Sequence, residues 1–500
     1  MKSKSSALLH SRYNPQAEAD RYINALIPSV NNSVQYFILI EPGLEFMVSP
    51  LKKNFPHAKI IALHIEKQAA LNKDICVSLS DASWYPETGI SVQDFLEAHI
   101  PDTEAARVQI IEWRAALALY KNSYLTLIEE TATFIKRSDA NARTITAFGR
   151  RWIKNFFKNI TLITRTIRPC VIAKPILITG AGPSLEGVIP LITKASREGS
   201  VFVIAVSSSI SALKAAGIEA DMVLAIDGGY WAEFHLFEYF YCAYAGEQLS
   251  RKPLPPLAVS LTAALPSQCS CVPMLPISDG SLWQTLILKS LVIPFLTLPQ
   301  RGTVAASAVD LAFALTKNTL YLAGLDLANN DIHTHARPYS LDRFIEKNNM
   351  RNNPAYSQAF KRSSLLKAGG SYAIYAEWFK MYIAKQIKLY PDRIYSIGNN
   401  HNVFADLKTT TIKKILPIKY DTLPINFDIL TITHNKHPVE QALRVLQTAL
   451  TDISLQPTLE KELSPALFGY CKQQSGKSAD IMKALYDLTE LTCSEGKLNG

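Results

Sequence analysis

The stretch Pro175-Ile176-Leu177-Ile178-Thr179-Gly180-Ala181-Gly182-Pro183-Ser184-Leu185-Glu186-Gly187 constrains the fold more than any other part of this chain. An apolar run of strand length passes without a break into a glycine-rich turn, and the turn opens a helix that carries Leu191 and Ile192. A strand with no polar alternation belongs in a parallel sheet covered on both faces. The glycines let the backbone approach a ligand and reach φ values that other residues resist. Pro183 suits a first helical turn, where its missing N–H would be unpaired anyway. The free N–H groups and the helix dipole then favour a phosphate or a carboxylate, and Ser184 offers a hydroxyl donor. A bare Gly-x-Gly occurs in many βα turns, whereas the whole string Gly-Ala-Gly-Pro-Ser-Leu is a sharper signal.

Four more strand-like runs follow the same pattern, at Val201–Val206, Met222–Ile226, Leu257–Leu261 and Thr319–Leu322. Ligands of an open α/β sheet sit outside the carboxyl ends of its strands, so the residues at these tips are the binding candidates. Ser207-Ser208-Ser209 follows the first run, either to cap a helix or to meet a ligand. Asp227-Gly228-Gly229-Tyr230 follows the second. A carboxylate before two glycines has little structural purpose and suits a sugar hydroxyl, a ribose or a metal. Thr303 lies in Gln300–Ala308, which opens a helix with small residues and so permits close packing or close approach of a ligand. Asp326 stands at the tip after Thr319–Leu322. His333 and His335, two apart, do not share a helix face and have no glutamate in a zincin arrangement, so they read as loop residues. A loop histidine beside a binding edge suits a general base, because its unperturbed pKa lies near neutrality, although a lone histidine is more often structural.

Before this region, Tyr36–Ile40 and Lys59–His64 are strand-length runs joined through Glu41-Pro42-Gly43 and a helical stretch, Leu44–Asn54. That order predicts a βαβ unit with parallel strands. Its turn has one glycine in place of a Gly-x-Gly-x-x-Gly fingerprint, so docking or scaffolding is expected, although Glu66 stands where nucleotide folds often hold a ribose. From Thr103 to Ile167 the pattern is helical, and Arg151, Lys154 and Lys158 share one face of it, a solvated face or a surface for an acidic partner. Further helices are expected at Val439–Ile453 and Ser478–Thr492.

A length of 500 residues exceeds one compact core. The chain is therefore expected to be an α/β protein of four parts: a small N-terminal α/β domain over 1–100, a helical connector over 101–168, a central Rossmann-like parallel-sheet domain over 169–406 and a helical region over 407–500. The formal charge of +9 favours anionic partners in general, without calling for nucleic acid. Seven cysteines without a Cys-x-x-Cys pair fit reduced thiols better than a zinc site. The apolar stretch Ala7-Leu8-Leu9 is too short for a signal peptide. Lys289 and Pro294 interrupt the most apolar run, Ser281 to Pro299, so no membrane span is expected and the cytoplasm is the expected location.

The central motifs are GAGPSLEG at 180–187, AVSSSISALKAAGIEAD at 205–221, AIDGG at 225–229, RGTVAASAVDLA at 301–312, AGLDLA at 323–328 and THA at 334–336. In order and spacing they resemble the central domain of the motility-associated-factor glycosyltransferases, which is itself similar to bacterial sialyltransferases. LHSRYNPQAEA at 9–19 and TAFGRRWIKNFFKNI at 146–160 resemble that family's opening segment and connector. The resemblance implies inverting transfer of a nonulosonic (pseudaminic-, legionaminic- or sialic-acid-like) sugar from a CMP-activated donor to Ser or Thr of flagellin. On that model Gly180, Ala181, Gly182, Pro183 and Ser184 hold the CMP phosphate and ribose. Ser207 and Ser208 flank the nucleotide, and Gly228 and Thr303 belong to the same site. Asp227 and Asp326 line the donor pocket, and His335 is the base, with His333 competing for the role. No obligatory metal is implied, and AIDGG lacks an Asp-x-Asp pair. Magnesium at Asp227 and Asp326 belongs to an alternative from the same superfamily, an ATP-dependent hydroxymethylpterin pyrophosphokinase-like enzyme. Those enzymes are compact single domains, which this chain is too long to be. A non-catalytic flagellin-binding accessory protein is the third possibility.

Overall fold

The apolar runs that mark buried strands in the sequence are strands in the computed structural model, which describes residues 9–66, 79–244, 254–326, 333–367, 371–398, 409–410, 427–432, 437–469 and 478–498. These fall into two units, Met1–Thr144 and Ile145–Gly500.

The first unit is built on a four-stranded parallel sheet of β1 (Tyr36–Ile40), β2 (Lys59–Leu63), β3 (Ala82–Trp84) and β4 (Val108–Glu112), in the order β3-β2-β1-β4. Phe37, Ile38, Leu39 and Ile40 are fully buried, as an apolar run without alternation requires. Strand β4 lies inside the stretch that the sequence pattern presents as helical. Val108-Gln109-Ile110-Ile111 is too short, between helical neighbours, to break that pattern, and its residue-by-residue pairing with β1 decides its state. After β1 the chain makes an unusual turn. Glu41 and Glu45 both adopt left-handed backbone, with φ of 44° and 59°, a region costly for residues with a Cβ. Their buried carboxylates turn onto His64, which lies 3.2 Å from Glu45 and 3.7 Å from Glu41. The amides of Ile65, Leu79 and Ser80 donate to the same two carboxylates. The space over this turn is thus filled by the chain's own side chains, and Glu66 is met by the Tyr120 hydroxyl at 3.4 Å.

Helix α1 (Lys121–Leu162) buries Tyr124 and Phe134 in the core of the first unit and Ile153, Phe156, Phe157 and Ile160 in that of the second. The second unit contains β5 (Arg165–Ile167), β6 (Ile176–Thr179), β7 (Phe202–Val206), β8 (Met222–Ala225), β9 (Leu257–Ser260), β10 (Met274–Ser278), β11 (Leu296–Thr297), β12 (Leu320–Ala323), β13 (Ile394–Ile397), β14 (Thr409–Thr410) and β15 (Ile429–Thr431). They form one sheet in the order β14-β13-β12-β6-β7-β8-β9-β10-β5-β15, with β11 beside β10. The pairings are parallel except that of β15 with β5. From β6 the chain steps outward to β10, then returns to the other side of β6 as β12. The point where strand order reverses therefore lies between β6 and β12, the place where open α/β sheets bind ligands.

The helices that matter for the site are α2 (Ser184–Arg197), α3 (Glu233–Tyr244), α4 (Leu282–Ser290), α5 (Val304–Leu315), α6 (Asp342–Lys347) and α7 (Ala355–Lys367); α8 (Pro438–Thr451), α9 (Gln456–Phe468) and α10 (Ser478–Leu498) follow. The last three are more than a tail. Leu446, Leu463 and Leu485 are fully buried in the same core as Ile287 and Leu288 of α4. Glu462 of α9 accepts the Leu282 and Trp283 amides at the start of α4, at 2.9 and 3.2 Å, and Gln441 of α8 donates to Ser290 O at its end, at 2.7 Å. Trp283, Ile287, Leu288 and Ile293 of the apolar run Ser281 to Pro299 are thus core, and among the described residues no helix is long and apolar enough to cross a membrane.

Candidate active site

The glycine turn after β6 and the loop after β12 interlock at the switch point. Gly180 N donates to Ala323 O at 2.8 Å and Gly182 N to Gly324 O at 2.7 Å. A Cβ on Gly180 would fall 2.4 Å from Gly324 O, and one on Gly182 2.6 Å from an Asp326 carboxylate oxygen. Close approach of two backbones, not only of a ligand, is what these glycines permit. Asp326 is 3% exposed and directs both oxygens at Ser184: the amide donates at 2.7 Å and the hydroxyl donates to the other oxygen. The first turn of α2 therefore already holds an anion, the chain's own carboxylate, which the helix dipole and the orphan N–H group favour.

The loop His333–Ser340 is fastened to that turn. Ala336 N donates to Ala181 O at 2.7 Å, and Arg337 N to the Glu186 carboxylate at 2.8 Å. Thr334 Oγ1 and His335 Nδ1 are 2.9 Å apart, and the His335 ring stacks on Tyr339 with centroids 4.1 Å apart and planes within 10°. Tyr339 also meets His235 of α3, at 5.3 Å between centroids. His235 bonds Ser340 Oγ, and burial pushes its pKa down to about 4 against an opposing pull from the Asp227 carboxylate. It is a neutral imidazole at pH 7. Nothing in the sequence singles it out, except that it lies in the first turn of the helix that follows the Asp227 strand tip.

Asp227 is exposed, and its carboxylate accepts the Gly229 amide at 2.8 Å. Gly228 is packed where a Cβ would lie 2.4 Å from the Trp152 ring and 2.8 Å from Thr262 O. Asn155 and Asn159 of α1 donate to carbonyls of the loop at 261–263, and Lys158 donates to Leu265 O at 3.0 Å. One base of the helix face thus serves the loop beside the site. Ser207 is buried and Ser208 half-buried at the β7 tip, while Ser209 bonds Val206 O and the Thr179 hydroxyl. Thr303 caps α5, its hydroxyl accepting the Ala306 amide at 3.2 Å. His333 and His335 border one cavity, together with Arg337 and Tyr339.

The structure thus brings together the glycine turn, Asp326, His335, Tyr339 and His235 through bonded or stacked neighbours, while the Asp227 carboxylate acts on His235 through its charge alone. Residues 150–250 match the family model described as 6-hydroxymethylpterin diphosphokinase MptE-like. The MptE-like segment takes in the glycine turn, Ser207, Ser208, Asp227 and His235, while Asp326 and His335 lie beyond it. An uncharacterized protein of Treponema pallidum (strain Nichols) is 26% identical over 327 residues, which are 65% of this chain and 68% of that protein. A solved structure, that of the MAf glycosyltransferase from Magnetospirillum magneticum AMB-1, aligns over 96% of this chain and 79% of its own, with 14% identity and a TM-score of 0.39.

Proposed function

We propose that the chain is a glycosyltransferase that moves a nonulosonic sugar from a CMP-activated donor to a Ser or Thr hydroxyl of flagellin. The observation that carries this is the fastening of the His335 loop to the glycine turn, by Ala336 N on Ala181 O and Arg337 N on Glu186. It holds a histidine beside the edge where an α/β sheet takes a nucleotide. On this reading His335 removes the acceptor hydroxyl proton as the oxygen attacks the anomeric carbon. The bond from that carbon to the phosphate oxygen breaks, CMP leaves with the electron pair, and the configuration inverts. The transition state has oxocarbenium character, and on the same reading the Asp227 carboxylate offsets that charge. The order of motifs from GAGPSLEG to THA supports the same reading.

A second reading, an ATP-dependent pterin diphosphokinase, is favoured by the description of the family model. Of the two magnesium donors it would use, Asp326 fits poorly, since it has both carboxylate oxygens on Ser184. Calorimetric titration with CMP and with ATP, each with and without magnesium, separates the two. Magnesium-independent CMP binding is expected, together with a loss of roughly 10²- to 10⁴-fold in transfer rate for His335→Ala at unchanged CMP affinity. Binding of ATP alone, and only with magnesium, would replace this proposal by the second.

A further inference from the structure

The loop His333–Ser340 is tied down on two sides, and the two ties differ in kind. Backbone amides make the first: Ala336 N donates to Ala181 O at 2.7 Å and Arg337 N to the Glu186 carboxylate at 2.8 Å. These bonds fix where the main chain runs. The second tie is made by side chains and reaches across to α3. Nδ1 of His235 is bonded to Ser340 Oγ, and the Tyr339 ring meets two imidazoles, His335 at 4.1 Å and His235 at 5.3 Å between centroids. The Tyr339 backbone is itself secured, because its amide donates to the Asp342 carboxylate at 2.9 Å and its carbonyl accepts the Asp342 amide at 2.9 Å. A ring stacked within 10° of His335 restrains the tilt of that imidazole, and Thr334 Oγ1, 2.9 Å from Nδ1, restrains its rotation. His235 suits a strut better than a proton carrier. Burial outweighs the pull of the Asp227 carboxylate and holds its pKa down at about 4, so it stays neutral through the range in which an unperturbed histidine titrates.

We propose that His235 is a positioning residue for His335: through Ser340 and Tyr339 it sets the plane of the imidazole that takes the acceptor proton. A reacting group serves only within about 0.5 Å and 10–20° of its productive geometry, and misplacement by about 1 Å costs on the order of 10²-fold in rate. Hydrogen bonds from the main chain alone leave a loop side chain more freedom than that. The strut stands on the helix that follows the Asp227 strand tip, so the base and the carboxylate of the proposed reaction share one frame. This inference rests on the glycosyltransferase reading for the reaction that His335 serves, but the orientation of the ring is tested without turnover as well.

The test uses the full-length protein, with flagellin as acceptor and the CMP-activated forms of pseudaminic, legionaminic and N-acetylneuraminic acid as donors. His235→Leu removes the bond to Ser340, whereas His235→Asn keeps an amide where Nδ1 stood. The leucine variant is expected to lower kcat roughly 10- to 100-fold at unchanged donor KM and CMP affinity, and the asparagine variant to recover most of that loss. On a His335→Ala background the leucine substitution should cost nothing further, because a residue that acts through His335 then has nothing to position. An equal further loss on that background, or a loss confined to KM, overturns the inference. Ser340→Ala removes the same bond from the loop side and stands in if His235→Leu fails to fold. Without turnover, NMR of the isotope-labelled histidine rings, with His335 assigned from its alanine variant, should show the His335 signal displaced in His235→Leu and Ser340→Ala and restored in His235→Asn. An unmoved signal in the first two overturns the inference. A displaced ring in a protein that transfers none of the three sugars upholds the positioning and overturns the proposed reaction instead.

Discussion

Asp326 keeps its carboxylate at 3% exposure because two donors of Ser184 face it across the switch point of the sheet. Removing it leaves an N–H and an O–H of Ser184 without their acceptors, at a place where Gly182 packs directly against the carboxylate. Asp326→Ala is therefore expected to cost about 2–4 kcal/mol. The check is a lower denaturant midpoint at unchanged slope; a shift within error would mean that the carboxylate is dispensable to the fold. The aspartate is visible in the sequence as a strand-tip residue. Its pairing with Ser184 is not, because the two are 142 positions apart and only the packing of the two loops joins them. His235 escapes notice for a related reason. A histidine in a helix is unremarkable until Tyr339 and Ser340 from a distant loop close over it.

At the scale of elements, the turn after β1 sets two carboxylates against one imidazole. Burial pushes the His64 pKa down, but the carboxylates of Glu41 and Glu45, the second hydrogen-bonded to its Nε2 at 3.2 Å, outweigh it, and the net shift is upward. Burial pushes Glu45 up, but the bonds from His64 and from the Ser80 and Leu79 amides outweigh it, and the net shift is downward. The signs follow by linkage. The His64 contribution is complete below the unfolded histidine pKa of about 6.5 and is lost as pH rises through the raised folded value. The Glu45 contribution is complete above the unfolded value of about 4.3 and is lost as pH falls through the lowered one. Thermal unfolding across pH should show the first unit losing stability at both ends. In His64→Gln the loss on the alkaline side should be absent; if it persists, another group titrates there. The apolar runs were enough to locate β1, β2, β6, β7, β8, β9 and β12, since continuous burial leaves its mark in composition. Strand β4 left no such mark, because its partner β1 lies about seventy positions earlier and a five-residue β-branched run cannot announce its state alone.

For the whole second unit, α8, α9 and α10 form a cover over α4, with both ends of that helix bonded to it. Periodicity places α8 and α10 within a few residues of their observed spans, yet it carries no information on where their apolar faces go. Glu462 acts on α4 as an N-cap side chain supplied from another helix. Glu462→Ala is expected to lower stability by about 1 kcal/mol, the usual worth of a cap. Chemical denaturation followed by the fluorescence of Trp283, which sits beside the cap, would report it; an unchanged midpoint would show that water replaces the carboxylate.

That cover has a consequence for how the protein comes into being. Leu282 leaves the ribosome 180 residues before the glutamate that caps it. At the usual pace of about 5–20 residues per second, α4 waits on the order of 10–40 s with its apolar face open to the cell. During that interval the nascent chain offers a chaperone its most apolar stretch. A ribosome stalled before Glu462 therefore holds a chain still unfinished at α4.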